Sequence, residues 1–311
     1  MSEKVKVGIG APTYNSVARL EQLLTSIELY RSNDYEYRIV ILDDGTPNQE
    51  KRDGVRDLAI RFGVDFIQHK NNEGIPSSWN DLSNHFKDID IMFLFNDDIC
   101  LCNENIFKCT VYALQNNEKV AVVGYPLIQI DPITGLQNKN YSLPDYSSRP
   151  GKVGAVVGCS FAFKKKIFDQ IGYFDRNIRS FYEETDQGFR VAQAGYYSIM
   201  LPYPPVEHRG SMTFSSNYEL NLQCVDDSIF TANEYYDIMI KKYPKERIFP
   251  VEGQQCVYRM DYSRAYFAKK WGCKDFWDCP QSEVHERLVT PLPKINFKYL
   301  DKDLKEVECE I

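Results

Sequence analysis

The sequence lacks features that are typical of zinc-ribbon proteins, of membrane-spanning proteins and of proteins that bind phosphate groups through a basic surface. Its nine cysteines include no C-x-x-C pair, which argues against a zinc ribbon and favours reduced thiols in a cytosolic compartment. The longest apolar run, IDIMFLF, is strand-sized and far below the roughly 20 residues of a membrane span. The net charge of −7 provides no overall basic surface, and the opening residues do not resemble a signal peptide. We therefore expect a soluble, cytoplasmic protein.

The first half of the sequence alternates strand patterns with amphipathic helical patterns. Apolar strands such as YRIVIL and IDIMFLF are separated by segments such as SVARLEQLLTSIELY, where Leu20, Leu23 and Ile27 recur at helical spacing. This rhythm predicts βαβ units, and hence an α/β fold with a mostly parallel central sheet flanked by helices. We expect this domain to cover residues 1–215, with a mainly helical extension over residues 216–311 packed on it.

Three of the predicted strands end in polar residues, namely Thr13–Asn15, Asp43–Gly45 and Asn96–Asp98. Parallel strands place their carboxyl ends at one edge, where α/β proteins bind ligands, so we expect these groups to converge. The pair of aspartates after the fourth strand either offers oxygen ligands to Mg²⁺ or Mn²⁺ or forms a solvated turn. The pair after the second strand either accepts hydrogen bonds from a ribose or a base, or forms a tight turn.

Two further groups of residues offer chemistry elsewhere in the chain. Glu183, Glu184 and Asp186 fall at the start of a predicted helix, where the helix dipole favours negative charge. Their mutual repulsion also suits a general base with a raised pKa. His208 follows two prolines in a loop and is either simply exposed or a ligand of a transition metal. Both interpretations stay open for each group on these patterns alone.

The order of these segments resembles the motif order of family 2 glycosyltransferases, which have the GT-A fold. GIGAPTYN, IVILDDGT and NNEGIPSSWN resemble the donor segments, and FLFNDDI falls at the Asp-x-Asp metal motif. GCSFAFKKKIFDQIGYFD, YEETDQGFRVAQAGY and HRGSMTF resemble the acceptor segment, the carboxylate helix and a histidine loop. The likeness is good over residues 4–215 and weak over 216–280. It implies a nucleotide-sugar half over about 1–100 and an acceptor half over about 101–215.

The resemblance implies an inverting, single-displacement transfer of a sugar from a nucleoside diphosphate to an acceptor hydroxyl, dependent on Mn²⁺ or Mg²⁺. It implies Asp98 and His208 as metal ligands. It implies Glu184 as the general base, with Asp186 or Glu183 as alternatives. The residues that it places at the nucleotide sugar are Pro12, Thr13, Tyr14, Asn15, Asp43, Asp44, Asn72, Gly74, Asn80, Asn96 and Asp97.

Two departures from the family pattern bear on the site. Asn96 stands where the Asp-x-Asp motif has its first carboxylate, and Glu184 stands where the base is usually Asp. The extra methylene of Glu184 moves its carboxylate by about a bond length, which matters to positional catalysis. A non-catalytic nucleotide-sugar-binding protein and a GT-A-like nucleotidyltransferase are the alternatives. The second would favour a phosphate loop rich in glycine and in arginine or lysine after its first strand, which APTYNS lacks.

The sequence leaves the acceptor open. A glycan, a glycoconjugate or another hydroxyl compound fits the reaction, and a modified DNA base is a candidate that the acidic net charge disfavours. We expect the extension over residues 216–311 to shape the acceptor side or to form a homo-oligomer contact.

Overall fold

We analysed a computed structural model of the chain. It describes residues 3–130, 137, 156–178, 180–209, 222–224, 249–251, 254–273 and 294–311. Most of the segment HRGSMTF lies outside these ranges.

The described residues form seven helices and fifteen strands. The helices are α1 (Val17–Tyr30), α2 (Gln49–Phe62), α3 (Ile75–His85), α4 (Ile106–Asn116), α5 (Lys165–Ile171), α6 (Glu183–Gln193) and α7 (Arg259–Lys270). The first eight strands are β1 (Lys6–Thr13), β2 (Glu36–Asp43), β3 (Asp65–Gln68), β4 (Ile91–Phe95), β5 (Ile99–Leu101), β6 (Val120–Gly124), β7 (Leu127–Gln129) and β8 (Ser160–Lys164). The others are β9 (Tyr197–Met200), β10 (Val206–His208), β11 (Leu222–Cys224), β12 (Phe249–Val251), β13 (Gln254–Tyr258), β14 (Asn296–Leu300) and β15 (Glu306–Glu310).

A seven-stranded sheet in the order β3-β2-β1-β4-β8-β6-β9 forms the centre of the molecule. Strands β1 to β4 run parallel to one another, and β8 runs antiparallel between β4 and β6. The predicted α/β fold with a mainly parallel sheet is confirmed. The pairing of Thr13 with Asp43 brings the ends of β1 and β2 to one edge, and β4 ends at that edge too.

Helices cover both faces of the sheet, which explains why β4 is apolar and buried along its whole length. Leu23 of α1, Val55 of α2 and Phe107 of α4 belong to the core on one face. Trp79 of α3 and Phe168 of α5 belong to the core on the other. Burying each such side chain stabilises the folded state by roughly 1.5–3 kcal/mol. The sheet edge that carries the polar residues is therefore held in place by a well-packed core.

Helix boundaries follow the sequence signals in part. The Asn48 side chain caps α2 by accepting from the Lys51 amide at 2.9 Å, and Gly63 ends that helix at φ 62°. Ser16 precedes α1, and its side chain makes no capping hydrogen bond. Phe181 and Tyr182, at φ 65° and 70°, precede α6 in the left-handed region. Such strain in non-glycine residues is common beside functional groups.

A small three-stranded sheet in the order β5-β10-β7 extends the polar edge of the molecule. His208 on β10 pairs with Ile99 of β5 and with Gln129 of β7. The amide of Arg209 donates to the carbonyl of Asp98 at 2.9 Å. The loop histidine of the sequence analysis is therefore the end of a strand, and this strand sets it against Asp98.

The described part of residues 216–311 contains both helix and strand. It contains α7, the three strands β11, β12 and β13, and an antiparallel hairpin of β14 and β15. The hairpin packs on α4 and buries Phe297 in the core on one face of the central sheet. None of the helices in the described ranges is long and apolar enough to cross a bilayer.

Candidate active site

Asp98 and His208 form a close pair at the polar edge of the sheet. Oδ2 of Asp98 lies 3.2 Å from Nε2 of His208. The opposite ring nitrogen, Nδ1, lies 2.9 Å from Oε1 of Gln129. In the tautomer in which Nδ1 donates to Gln129, Nε2 presents a lone pair to a carboxylate oxygen. Such an arrangement needs a proton or a metal cation between the two atoms.

Two buried oxygens beside this pair have no hydrogen-bond donor, namely Oδ1 of Asp98 and Oδ1 of Asn96. Leaving a buried acceptor unsatisfied costs about 1–3 kcal/mol, and more for a charged group. A divalent cation prefers oxygen ligands and also accepts neutral imidazole. The donor set at this corner therefore fits a divalent cation, with Asp98 and His208 as the residues that would hold it.

Asp97 points away from that pair and is engaged by β1. Its Oδ2 accepts from the hydroxyl of Thr13 at 2.5 Å. Burial and the adjacent Asp98 carboxylate raise the pKa of Asp97 to about 7, although the contact with Thr13 opposes this rise. The two neighbouring aspartates thus avoid full repulsion, because one of them holds a proton for much of the time near neutral pH.

The two aspartates at the end of β2 fix the local loops. Oδ1 of Asp43 accepts from the amide of Thr46 at 3.1 Å, and Oδ2 accepts from Gln68 at 3.2 Å. These contacts are typical of a tight turn. A tight turn was the alternative to ligand binding that the sequence allowed for this pair. Asp43 is buried.

Asp44 holds the loop that follows β3. Its Oδ1 accepts from the Glu73 amide at 2.9 Å, and its Oδ2 accepts from the Gly74 amide at 3.0 Å. Gly45, at φ 72°, allows that loop to approach, because a Cβ there would lie 2.2 Å from the carbonyl carbon of Asn71. Asp44 therefore shapes the loop that carries the predicted donor residues Asn72 and Gly74.

A second group of metal-type ligands lies next to Asp44. The ligand atoms of His69, Glu73 and Asp81 lie within 4.8 Å of one another. However, Nδ1 of His69 contacts Asp44 at 2.8 Å and Nε2 contacts Asp81 at 3.0 Å. The hydrogen bond with Asp44 raises the pKa of His69. A protonated imidazole between two carboxylates satisfies this cluster without an ion.

The remaining predicted donor residues differ in what their side chains can reach. Tyr14, Asn15 and Asn72 are partly exposed at the edge, and Asn15 adopts φ 62°. Pro12 is buried in β1. Both polar atoms of the Asn80 amide bond the backbone of Phe174, at 2.8 and 2.9 Å.

The first turn of α6 carries the predicted base. Glu184 keeps a partly exposed surface, but burial by the surrounding protein raises its pKa to about 7. Glu183 is more deeply buried, and burial together with the Glu184 charge raises its pKa well above the ordinary value. At neutral pH a protonated Glu183 leaves Glu184 as the carboxylate that can exchange a proton.

Asp186 has a different environment from the two glutamates. It is fully buried and accepts from Arg190 at 3.1 Å and from Trp271 Nε1 at 3.0 Å. Lys270 Nζ lies 2.7 Å from Oδ1 of Asp186. Three donors, two of them cationic, contact this carboxylate, so its geometry is that of an anchor between α6 and α7.

The segment just before β8 lies close to both the turn that contains Asp98 and the carboxyl group of Glu184. The Asn96 amide donates to the carbonyl of Cys159 at 2.9 Å. A Cβ on Gly158 would lie 3.2 Å from the carboxyl carbon of Glu184. Burial raises the pKa of the Cys159 thiol, and the nearby charges of Asp98 and Glu184 raise it further. Cys159 thus lies near both the candidate metal ligand and the candidate base.

Three residues of this site received no role in the sequence analysis: Gln129, Gly158 and Arg259. Gln129 orients His208 from a strand that is distant in sequence, and no local signal marks it. Gly158 opens the segment GCSFAF, and its lack of a side chain leaves room for Glu184. Arg259 belongs to α7 and donates to Asn72 at 3.5 Å.

Comparison with known proteins identifies the family of this chain. Residues 9–172, slightly more than half of the chain, match the family model described as glycosyl transferase family 2. The chain belongs to glycosyltransferase family 2. This match spans the polar ends of β1, β2 and β4 and the segment that ends at Gly172.

Two curated relatives carry glycosyltransferase names. The chain is 30% identical over 183 residues to an uncharacterised glycosyltransferase of Acanthamoeba polyphaga mimivirus, an alignment that covers 55% of this chain and 66% of the viral protein. It is 22% identical over 268 residues to an uncharacterised glycosyltransferase of Rickettsia bellii, covering 81% of this chain and 36% of the bacterial protein. The chain thus spans less than two thirds of either relative.

Solved structures of family-like transferases share the fold. A mannosyltransferase of Pyrobaculum calidifontis, in complex with GDP-Man and Mn²⁺, superposes with a TM-score of 0.53 at 18% identity and covers 67% of this chain and 57% of its own. TarS 1–349 of S. aureus gives a TM-score of 0.54 at 12% identity, over 92% of this chain and 81% of its own. At these identities the likeness establishes the GT-A fold of this chain.

Proposed function

We propose that this chain transfers a sugar from a nucleoside diphosphate to an acceptor hydroxyl, with inversion at the anomeric carbon and with the help of a divalent cation. The observation that carries the proposal is that two candidate groups approach the same short segment before β8: the backbone amide of Asn96, in the turn with Asp98, donates to the Cys159 carbonyl at 2.9 Å, and Gly158 adjoins the Glu184 carboxyl group. A carboxylate suited to a cation and a carboxylate suited to proton exchange therefore lie near the same two residues. This is the arrangement that displacement at a sugar carbon requires.

The donor would lie along the strand ends from β3 to β4. Two solved relatives of this fold were crystallised with GDP-Man and with UDP-GlcNAc, which supports a nucleotide sugar as the donor. We assign the nucleoside to the partly exposed residues Tyr14, Asn15 and Asn72. Asp44 contributes indirectly, by holding the amides of the loop that carries Asn72.

Asp98 and His208 would hold the cation, and Asn96 offers a further oxygen beside them. When bound, a divalent cation offsets the negative charge that develops on the leaving diphosphate. Gln129 keeps the His208 ring in the orientation that presents Nε2 to Asp98. Such outer contacts also set the tautomer of a ligating histidine.

Glu184 would act as the general base. A pKa of about 7 leaves a large fraction of its carboxyl groups ionised at neutral pH and makes proton uptake favourable. It takes the proton from the acceptor hydroxyl as the new bond from oxygen to the sugar carbon forms. The bond from that carbon to the diphosphate breaks on the opposite face, and its electron pair leaves with the nucleoside diphosphate.

A donor panel tests the proposal directly. The protein is incubated with Mn²⁺ or Mg²⁺ and each of several UDP- and GDP-sugars, with acceptor panels of oligosaccharides, glycoconjugates and hydroxymethylated DNA. We expect acceptor-dependent release of the nucleoside diphosphate, abolished by EDTA, and a product of inverted anomeric configuration by NMR. Retained configuration would contradict the single displacement.

The same assay separates the alternatives that the sequence left open. A nucleotidyltransferase releases pyrophosphate from a nucleoside triphosphate and a sugar phosphate. A non-catalytic binding protein raises its melting temperature with a nucleotide sugar and Mn²⁺, because the ligand binds only the folded state, but releases no nucleoside diphosphate with any acceptor.

A further inference from the structure

The C-terminal extension reaches the donor edge of the catalytic domain through Arg259, the first residue of α7. Nη1 of Arg259 donates to Oδ1 of Asn72 at 3.5 Å. Burial raises the pKa of the Tyr14 hydroxyl, and the nearby positive charge of Arg259 offsets part of this rise. The guanidinium therefore lies beside two residues that belong to different strand-end loops, one after β1 and one after β3.

The helix that presents Arg259 is anchored to the catalytic domain along its length. Arg264 Nε donates to the Tyr182 hydroxyl at 2.8 Å. At the far end of α7, Lys270 contacts Asp175 at 2.8 Å and also Asp186. These contacts fix the helix on the loop before α6 and on its first turn, so the start of α7 has a defined position over the donor edge.

The location of Arg259 indicates which end of the donor this side chain would contact. The candidate cation corner at Asp98 follows β4, and Asn72 follows β3, three strands away in the sheet. At about 4.8 Å per strand, this separation is about 14 Å. A nucleotide sugar whose diphosphate lies at the cation corner therefore extends its nucleoside toward Tyr14, Asn72 and Arg259.

The hydrogen-bond donors of a guanidinium group favour some nucleobases over others. Arginine carries only donors, so it binds a keto oxygen and is repelled by the hydrogens of an amino group. Uracil and guanine carry a keto oxygen at the position where cytosine and adenine carry an amino group. The contact with Asn72, at 3.5 Å to a neutral oxygen, is long, and a charge-assisted bond to a ligand would be shorter and stronger.

We propose that Arg259 reads the nucleobase of the donor and selects nucleoside diphosphates with a keto base, uracil or guanine, over those with an amino base. This inference rests on the proposed function and deepens it. It makes the C-terminal extension part of the donor site, although the family match ends at Gly172.

The test measures binding of UDP, CDP, GDP and ADP to the full chain in the presence of Mn²⁺ by isothermal titration. We expect the wild type to prefer one keto member over its amino counterpart by about tenfold or more. In Arg259→Ala this preference should fall to within about threefold, mainly because the keto ligand binds more weakly. Arg259→Lys, which keeps the charge without the planar fork, should lose an intermediate part of the preference.

Arg31→Ala is the matched control, since Arg31 is an exposed arginine at the end of α1 that pairs with Glu28. It should leave all four affinities unchanged, and melting temperatures verify that each variant is folded. If Arg259→Ala does not fold, Arg259→Lys and Arg259→Gln provide the same comparison.

Two results would overturn the inference while leaving the proposed function intact. One is equal weakening of UDP and CDP in Arg259→Ala, which would assign Arg259 to the phosphates. The other is an unchanged keto preference. Failure of the wild type to bind any nucleoside diphosphate or nucleotide sugar with Mn²⁺ would instead overturn the proposed function itself.

Discussion

The proposed proton transfer depends on one side chain, that of Glu184. Burial raises the pKa of its carboxyl group to about 7, and the pKa of the neighbouring Glu183 is raised as well. Asp186, two residues further along, has the opposite environment of cations and donors. A difference of two positions along the helix therefore separates a group suited to proton exchange from an anchoring group.

Glu184→Gln should lower the transfer rate by about 10²–10⁴-fold, because the amide keeps the shape of the side chain but cannot accept the proton. Nucleoside diphosphate release under saturating donor measures the effect. Asp186→Asn is the contrasting variant, and it should lower the free energy of unfolding by roughly 1–3 kcal/mol because Arg190 and Lys270 lose the charge of the buried carboxylate that they contact. Wild-type turnover in Glu184→Gln would exclude Glu184 as the base.

The pH dependence of the wild type should follow the same carboxyl group. The reactive form is ionised, so the rate should rise as pH passes about 7 and then level off. The folded pKa lies above the ordinary 4.5, so the folded state binds more protons between these values and stability falls as pH rises through that window. We expect Glu184→Gln to have a higher melting temperature than the wild type at pH 8 and a similar one at pH 4.

Gln129 offers a test of the cation corner that spares the ligands themselves. Gln129→Ala removes the oxygen that orients His208, so the Mn²⁺ concentration for half-maximal activity should rise by about 10–100-fold. The rate at saturating Mn²⁺ should stay within a few-fold of wild type. His208→Ala should raise the Mn²⁺ requirement further, and an unchanged requirement in both variants would remove His208 from the site.

At the scale of elements, the start of β8 and the first turn of α6 approach each other closely. Gly158 lies at the contact, since an added Cβ would be 3.2 Å from the Glu184 carboxyl carbon and 3.3 Å from the Trp79 ring. Trp79 is buried and fixed by the aromatic side chains of Phe161 and Phe174. Of the two neighbours, Glu184 is the one that can move.

Gly158→Ala should therefore displace the candidate base while leaving the core in place. We expect kcat to fall by about tenfold or more, because catalysis is sensitive to shifts of less than 1 Å, with KM for the donor nearly unchanged. Steady-state kinetics separate the two constants. Gly63→Ala tests whether any glycine substitution has this effect. It strains a helix end at φ 62° with open space around it, so it should affect stability and not kcat.

At the scale of the whole molecule, the C-terminal residues complete the catalytic domain. The hairpin of β14 and β15 buries Phe297 in the core that also contains α1 and α4. The Asn117 side chain bonds the backbone of Lys298 in both directions, at 2.7 and 2.8 Å. The end of the chain is thus tied to the domain whose motifs lie mostly before residue 209.

Phe297→Ala should lower the free energy of unfolding by about 3–5 kcal/mol, the usual cost of emptying a buried aromatic site. Urea denaturation followed by tryptophan fluorescence measures this difference. Lys302→Ala, in the exposed turn of the same hairpin, should change stability by less than about 0.5 kcal/mol. A small effect of Phe297→Ala would show that the hairpin folds independently of the domain.

The sequence by itself determined the fold class and the edge at which the site lies. Apolar strands separated by amphipathic helices permit few topologies, and strands such as β4 with both faces apolar require helices on each side. The polar ends of β1, β2 and β4 were therefore predictable as neighbours, and the sheet order confirms that β1 lies between the other two.

Only the tertiary structure decided what each polar residue does. Asp43 and Asp44 satisfy backbone amides and neighbouring side chains, Asn80 bonds the backbone of Phe174, and Asp186 anchors α7. In the sequence these residues are indistinguishable from ligands, because most of their partners lie tens of positions away. Gln129, Gly158 and Arg259 were missed for the same physical reason: charge, hydrogen bonding and space depend on distance in the folded chain.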